Sequence, residues 1–96
     1  MLLHLVCFKY KPAIDQATRA EHRTRLRGLS GLDGIVDLKV GEDVVRNPAR
    51  SYDTGLCVTF PDRAALDRYA KDPRHVPVAQ FGIEISEHIV ACDFEI

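Results

Sequence analysis

Paired cysteines, concentrated basic charge and long apolar runs are all missing from this 96-residue chain, and each absence narrows what it can do. The three cysteines, Cys7, Cys57 and Cys92, lie far apart inside apolar segments. An odd count without close pairs argues against a secreted disulfide framework or a zinc set and fits a reducing, cytoplasmic setting. As free thiols they read as small hydrophobes packing strands. The 13 Lys+Arg are scattered among 14 Asp+Glu, for a formal net charge of -1. That leaves no positive field for a phosphate backbone, so nucleic acid is not expected as a partner. The opening Leu2-Leu3-His4-Leu5-Val6-Cys7-Phe8 meets Lys9 far short of the roughly 20 apolar residues that a membrane-spanning helix needs. It shows neither a basic leader nor a small-residue cleavage pattern, so no membrane partner is expected and the mature chain is expected to start at Met1. His4, His22, His75 and His88 have no paired ligand spacing, and no carboxylate is placed beside them, so no metal site is expected.

What is present is a clear alternation of strand and helix signals. Leu2 to Tyr10 is rich in β-formers and stops at Lys11-Pro12, which predicts a strand apolar on both faces. Leu3, Leu5 and Cys7 point to one side of it, and His4, Val6 and Phe8 to the other. Asp15 is placed to cap a helix running to about Leu29, with Ala20, Leu26 and Leu29 inward and Arg19, Arg23 and Arg27 mostly outward. A half-buried strand is expected from Ile35 to Gly41, then a polar loop, then a strand from Tyr52 to Phe60 with Leu56, Val58 and Phe60 on one face and Cys57 on the other. Asp62 caps a second helix ending at Asp72. Pro77 to Ile85 predicts a short irregular helix, and Glu87 to Phe94 a last strand with Val90, Cys92 and Phe94 on one side.

This β-α-β-β-α-β order folds as one α+β domain over residues 1–96, a four-stranded antiparallel sheet with its helices on one face. The other face is left bare. Whichever half of the first strand it carries is too apolar to leave in water, which predicts a second copy packed against it.

The segment from Asp67 to Val76 holds the strongest chemical signal. Ala65, Leu66 and Tyr69 share the inward face of the second helix. Pro73 disfavours helical geometry in the preceding residue, placing His75 on the short turn beyond, from which its ring can swing back towards Tyr69. Two readings stand side by side: an acid/base pair over one cavity, or a buried tyrosine beside a histidine that caps exposed carbonyls.

Taken together, His4-Leu5-Val6-Cys7-Phe8-Lys9-Tyr10, the run Ser51-Tyr52-Asp53 leading to Val58-Thr59-Phe60, the Tyr69 to His75 motif and the closing Asp93-Phe94 resemble the stress-responsive dimeric α/β-barrel (Dabb) family. The resemblance spans the chain. It implies a ferredoxin-like protomer and a homodimer whose two sheets form a dimeric α/β barrel. The family is mixed, with plant stress proteins, bacterial members of unknown role and a plant polyketide cyclase that works without a cofactor. The cyclase's catalytic tyrosine and histidine match Tyr69 and His75, and a histidine opening its first strand matches His4. The pocket departs from the cyclase: His22 and Arg25 stand where its first helix carries aromatics, and Thr54 falls near its third-strand histidine. A long alkyl polyketide would be poorly housed.

What the resemblance adds to the residues is an expected enzyme that needs no cofactor and moves a proton next to a carbonyl in a small apolar compound. Tyr69 and His75 are its expected catalytic pair. His4, Val6, Phe8, His22, Thr54, Leu56, Val58 and Phe94 are its expected substrate-binding residues. For His4 a satisfied position within the sheet, and for His22 a solvated helix face among arginines, are the competing readings. Haem-degrading relatives of the fold do not fit, since the chain has no tryptophan. The alternative function is a non-catalytic stress-response or apolar-ligand-binding dimer. An open pocket faced by both the Tyr69 hydroxyl and the His75 ring would favour chemistry, and a closed dry space the structural role.

Overall fold

The structure is a computed structural model describing residues 1–96. The elements run β1 (Leu2–Tyr10), α1 (Gln16–Arg27) with a 3-10 turn at Gly28–Gly31, β2 (Asp37–Glu42), β3 (Thr54–Phe60), α2 (Arg63–Lys71), α3 (His75–Ile85) and β4 (Ser86–Glu95). The four strands form one sheet in the order β2-β3-β1-β4, every pair antiparallel. The expected α+β order is therefore present, with three helices rather than two regular ones.

Local chemistry accounts for most boundaries. Asp15 Oδ1 accepts the Thr18 N–H at 2.8 Å and opens α1, and Asp62 Oδ1 accepts the Ala65 N–H at 2.9 Å and opens α2. Each side chain takes up an amide that has no partner inside the helix. Where a short irregular helix was expected from Pro77, α3 instead starts at His75 and runs the full span to Ile85. Pro77 lies in its first turn, where a missing N–H breaks no helical bond. The chain then passes straight from Ile85 into β4.

Strand pairing decides which half of β1 the helices cover. Leu2, Val6, Phe8 and Tyr10 are buried, as are Thr54, Leu56, Val58 and Phe60 on β3. The apolar residues of this set join Leu26, Leu29, Leu32, Ala65, Tyr69 and Ile85 in the hydrophobic core. The uncovered face carries Leu3, Leu5 and Cys7. Leu5 lies between Cys57 and Cys92, and Cys7 and Leu3 lie opposite Val90 and Phe94. All three cysteines are free and share this face.

On α1 the inward face differs from the expected one. His22 is buried with Leu26 and Leu29, at spacings of four and three residues, whereas Ala20 is exposed. Against this face packs Gly82 of α3. A Cβ there would lie 2.9 Å from His22 Nε2 and 3.2 Å from Phe8. Gly82→Ala is a test of sign: helix propensity alone favours alanine by about 1 kcal/mol, while overpacking a filled core costs about 1–3 kcal/mol. Net destabilisation in urea unfolding is expected, and a stabilised variant would show that α3 yields easily at this point.

Candidate functional site

Between the helix-covered side of the sheet and α2–α3 lies a cavity of about 190 Å³, with nine of its eleven lining residues hydrophobic. Val6 and Phe8 of β1, Leu56 of β3, Leu26 of α1 and Val78 of α3 are among its walls. The lining residues that carry polar side-chain atoms are His4, Tyr69 and His75. Each is set by a different element.

Tyr69 lies in the last turn of α2 and is 2% exposed. Its hydroxyl is buried and has no hydrogen-bond partner within the chain. Burial makes the phenolate unfavourable and pushes the hydroxyl up to about 12, so at neutral pH this group donates and does not act as a base. The His75 ring lies 4.2 Å from the Tyr69 ring, centre to centre, tilted by 43°.

His75 is not on a free turn, as expected from Pro73, but is the first residue of α3. Asp72 builds the corner between the two helices. Its carboxylate accepts the Arg74 N–H at 2.8 Å, and its carbonyl accepts the His75 N–H at 2.9 Å. The imidazole Nδ1 is 3.2 Å from the Ala70 carbonyl oxygen. A carbonyl can only accept, so Nδ1 carries the proton and Nε2 keeps its lone pair. Burial lowers the affinity of the ring for a second proton, and the Ala70 contact opposes this only in part.

His4 closes the group, its ring 6.1 Å from that of Tyr69. Its Nδ1 donates to Asp93 Oδ1 of β4. The carboxylate fixes both the tautomer and the ring plane, leaving Nε2 as the free nitrogen. Asp93 was not among the expected site residues. It pairs with His4 across β1 and β4, and since the only sequence signal was its place in the closing Asp93-Phe94, its role waits on the strand register.

Of the expected binding residues, His4, Val6, Phe8 and Leu56 line the cavity with Tyr69 and His75. Val58 is fully buried opposite His4 and is not among the lining residues. Phe94 does not belong to the walls. It pairs with Leu3 and so lies on the uncovered face, 42% exposed, because alternation along β4 turns Asp93 and not Phe94 towards His4. His22 and Thr54 also lie off the cavity.

Those two form a separate buried cluster, and His22 is not on a solvated helix face. The Tyr10 hydroxyl donates to Thr54 Oγ1 at 2.8 Å, and His22 Nδ1 donates to the Tyr10 oxygen at 2.7 Å. His22 Nε2 has no partner and faces the Phe8 ring and Gly82. Burial, helped by the nearby charges of Arg23 and Arg25, lowers His22 to about 4. A stability trend follows. The unfolded chain protonates this ring below about 6.5 and the folded chain resists, so its contribution is complete above that pH and declines as pH falls towards 4. Unfolding free energies measured from pH 7 to 4.5 should fall in the wild type and fall less in His22→Phe. An equal fall in both would assign the acid sensitivity elsewhere.

No three histidine, cysteine or carboxylate side chains converge as a metal site would require, and no helix is long and apolar enough to cross a membrane.

The sheet order and one-sided helical layer define a ferredoxin-like protein, and solved structures of that fold superpose closely on it. A dimeric ferredoxin-like protein of unknown function from Thermobifida fusca matches with a TM-score of 0.89 at 17% identity, covering 99% of this chain and 90% of that one. One from Jannaschia sp. matches at 0.83 and 27%, covering 99% and 98%. A hydroxynitrile lyase from Passiflora edulis matches at 0.88 and 20%, covering 99% and 92%. No curated protein matches the sequence. The stress responsive A/B barrel domain (Dabb) matches residues 2–96, and the chain belongs to that family.

Proposed function

We propose that the cavity carries out cofactor-independent proton transfer at a carbon next to a carbonyl in a small, mainly apolar compound. One observation supports this above the others: Tyr69, whose desolvated hydroxyl has no intramolecular partner, lies ring against ring with an imidazole held neutral, and both residues line the same apolar space. In this reading Nε2 of His75 takes the proton from the α-carbon as the C–H bond breaks. The electron pair moves onto the carbonyl oxygen, and the Tyr69 hydroxyl donates a hydrogen bond to the enolate that forms. A fixed donor in a low-dielectric site helps most at that point, since it strengthens as charge develops. The imidazolium formed at His75 returns the proton to the product, and His4, oriented by Asp93, holds the substrate through its free Nε2, which accepts a hydrogen bond.

Size limits the substrate. An apolar cavity of about 150 Å³ accepts benzene, so about 190 Å³ suits one ring with a short carbonyl-bearing substituent rather than a long alkyl chain. The hydroxynitrile lyase from Passiflora edulis is in keeping with a lyase or isomerase on this scaffold.

Acetophenone, a one-ring methyl ketone, is a suitable probe, with loss of its methyl proton signal followed by NMR in heavy water. The wild type should speed the exchange, with a rate that rises with pH through the acid range and levels off near neutrality, because burial lowers the proton affinity of His75. His75→Ala should slow exchange by about 10²–10⁴-fold, and Tyr69→Phe by about 10²-fold, mostly in kcat. Circular dichroism should be unchanged in both. Saturable binding without exchange, across a panel of one-ring carbonyl compounds, would favour the non-catalytic ligand-binding reading.

The second part of the proposal is assembly. The uncovered face presents half-buried Leu3 and Leu5 with exposed Val90 and Phe94 in adjoining rows. A second copy packed sheet to sheet would remove this apolar strip from water and form the barrel for which the family is described. Light scattering in dilute solution should return twice the chain mass, and Leu5→Glu should return the single chain mass. A wild type that stays monomeric would overturn the dimer without touching the cavity.

A further inference from the structure

A second recess lies between the first half of α1 and the loop joining β2 to β3. Its volume is about 270 Å³, and one of its twelve lining residues is hydrophobic. Four cations line it, Lys9, Arg19, Arg23 and Arg46, with three carboxylates, Glu42, Asp43 and Asp53. Two of those carboxylates already serve the backbone. Asp53 accepts the Tyr10 N–H at 2.8 Å, and Asp43 accepts the Arg46 N–H at 2.7 Å. Arg19 is likewise engaged, giving hydrogen bonds to the Ile14 and Lys11 carbonyls.

Arg23 is different. Its side chain is only 11% exposed, yet its guanidinium gives a single hydrogen bond, to Thr54 Oγ1 at 3.3 Å. Glu42 stays 3.9 Å away, beyond bonding distance. A guanidinium has five N–H donors, and a charge withdrawn from water needs acceptors for them. Glu42 Oε1 is also 3.9 Å from Arg46, which stands on the loop side of the recess. One exposed carboxylate is thus shared loosely between two guanidiniums and satisfies neither.

We infer that this recess binds a compact oxyanion, a carboxylate or a phosphate, held between Arg23 and Arg46 in the place that Glu42 fills poorly. Planar guanidiniums recognise both groups by paired N–H donors. The site is separate from the Tyr69–His75 cavity, with which it shares no lining residue.

Thermal unfolding of the full chain in inorganic phosphate or malonate, at an ionic strength held constant with sodium chloride, tests this. A saturable rise in Tm with either anion, absent with chloride alone, is expected; the anion with the larger response tells whether a phosphate ester or a carboxylate is the better ligand. Arg46→Gln should weaken the half-saturating concentration by about tenfold, and Glu42→Gln, which removes the competing carboxylate, should strengthen it. Arg23→Gln should abolish the response. Should that variant fail to fold, Arg46→Gln and Glu42→Gln decide the matter, since both side chains are exposed. A response matched by chloride, or one that neither of these two variants changes, would overturn the inference.

Discussion

β1 is hydrogen-bonded along both edges, and its alternation divides the molecule in two. Every second residue from Leu2 faces the helices, and every second residue from Leu3 faces away. Because a strand repeats every two residues, a slip of one position would exchange the two sets entirely. His4 would then leave the cavity and Cys7 would enter the core. The register against β3 and β4 thus determines together the floor of the cavity, the carboxylate that His4 meets and the composition of the uncovered face.

Desolvation then tunes the groups on the covered side, with outcomes that depend on the partner each group finds. Tyr69 is buried without a partner and keeps its proton well into the alkaline range. His75 is buried beside a backbone carbonyl, so it stays neutral with a defined free nitrogen. His22 is buried among Tyr10, Phe8 and Gly82, held neutral and shut away from the cavity. The two buried histidines are alike in charge and unlike in access. Access follows from Phe8, which lines the cavity on one side and packs edge-on against His22, 4.7 Å between ring centres.

Helix α1 bears on both sites from one face. Leu26 closes the apolar cavity, His22 belongs to the buried polar cluster one turn earlier, and Arg23 and Arg19 reach the charged recess. A change in the rotation of this helix would disturb all three at once. Gly82 sets how closely α3 approaches it, since any side chain there would meet the His22 ring.

Element order, helix caps and the inward phase of Tyr69 are local properties, and they are legible along the chain. Asp15 and Asp62 cap helices because their side chains reach amides three residues away, and the alternation through Leu56, Val58 and Phe60 marks a buried strand face wherever that strand packs. The family resemblance, too, lies in residues that can be read in order. Contacts between distant segments are not written this way. The resemblance made His22 a pocket residue and its neighbouring arginines made it a solvated one, and only packing against Phe8 and Gly82 makes it a closed core group. Phe94 and Asp93 are neighbours in sequence, and which of them turns towards His4 depends on a hydrogen-bond register 89 residues away. The sequence by itself determined the strands, the helices and the chemical groups available. Tertiary structure alone decided which of those groups share a space, because register and helix rotation are set by the packing of the whole core and not by any neighbour along the chain.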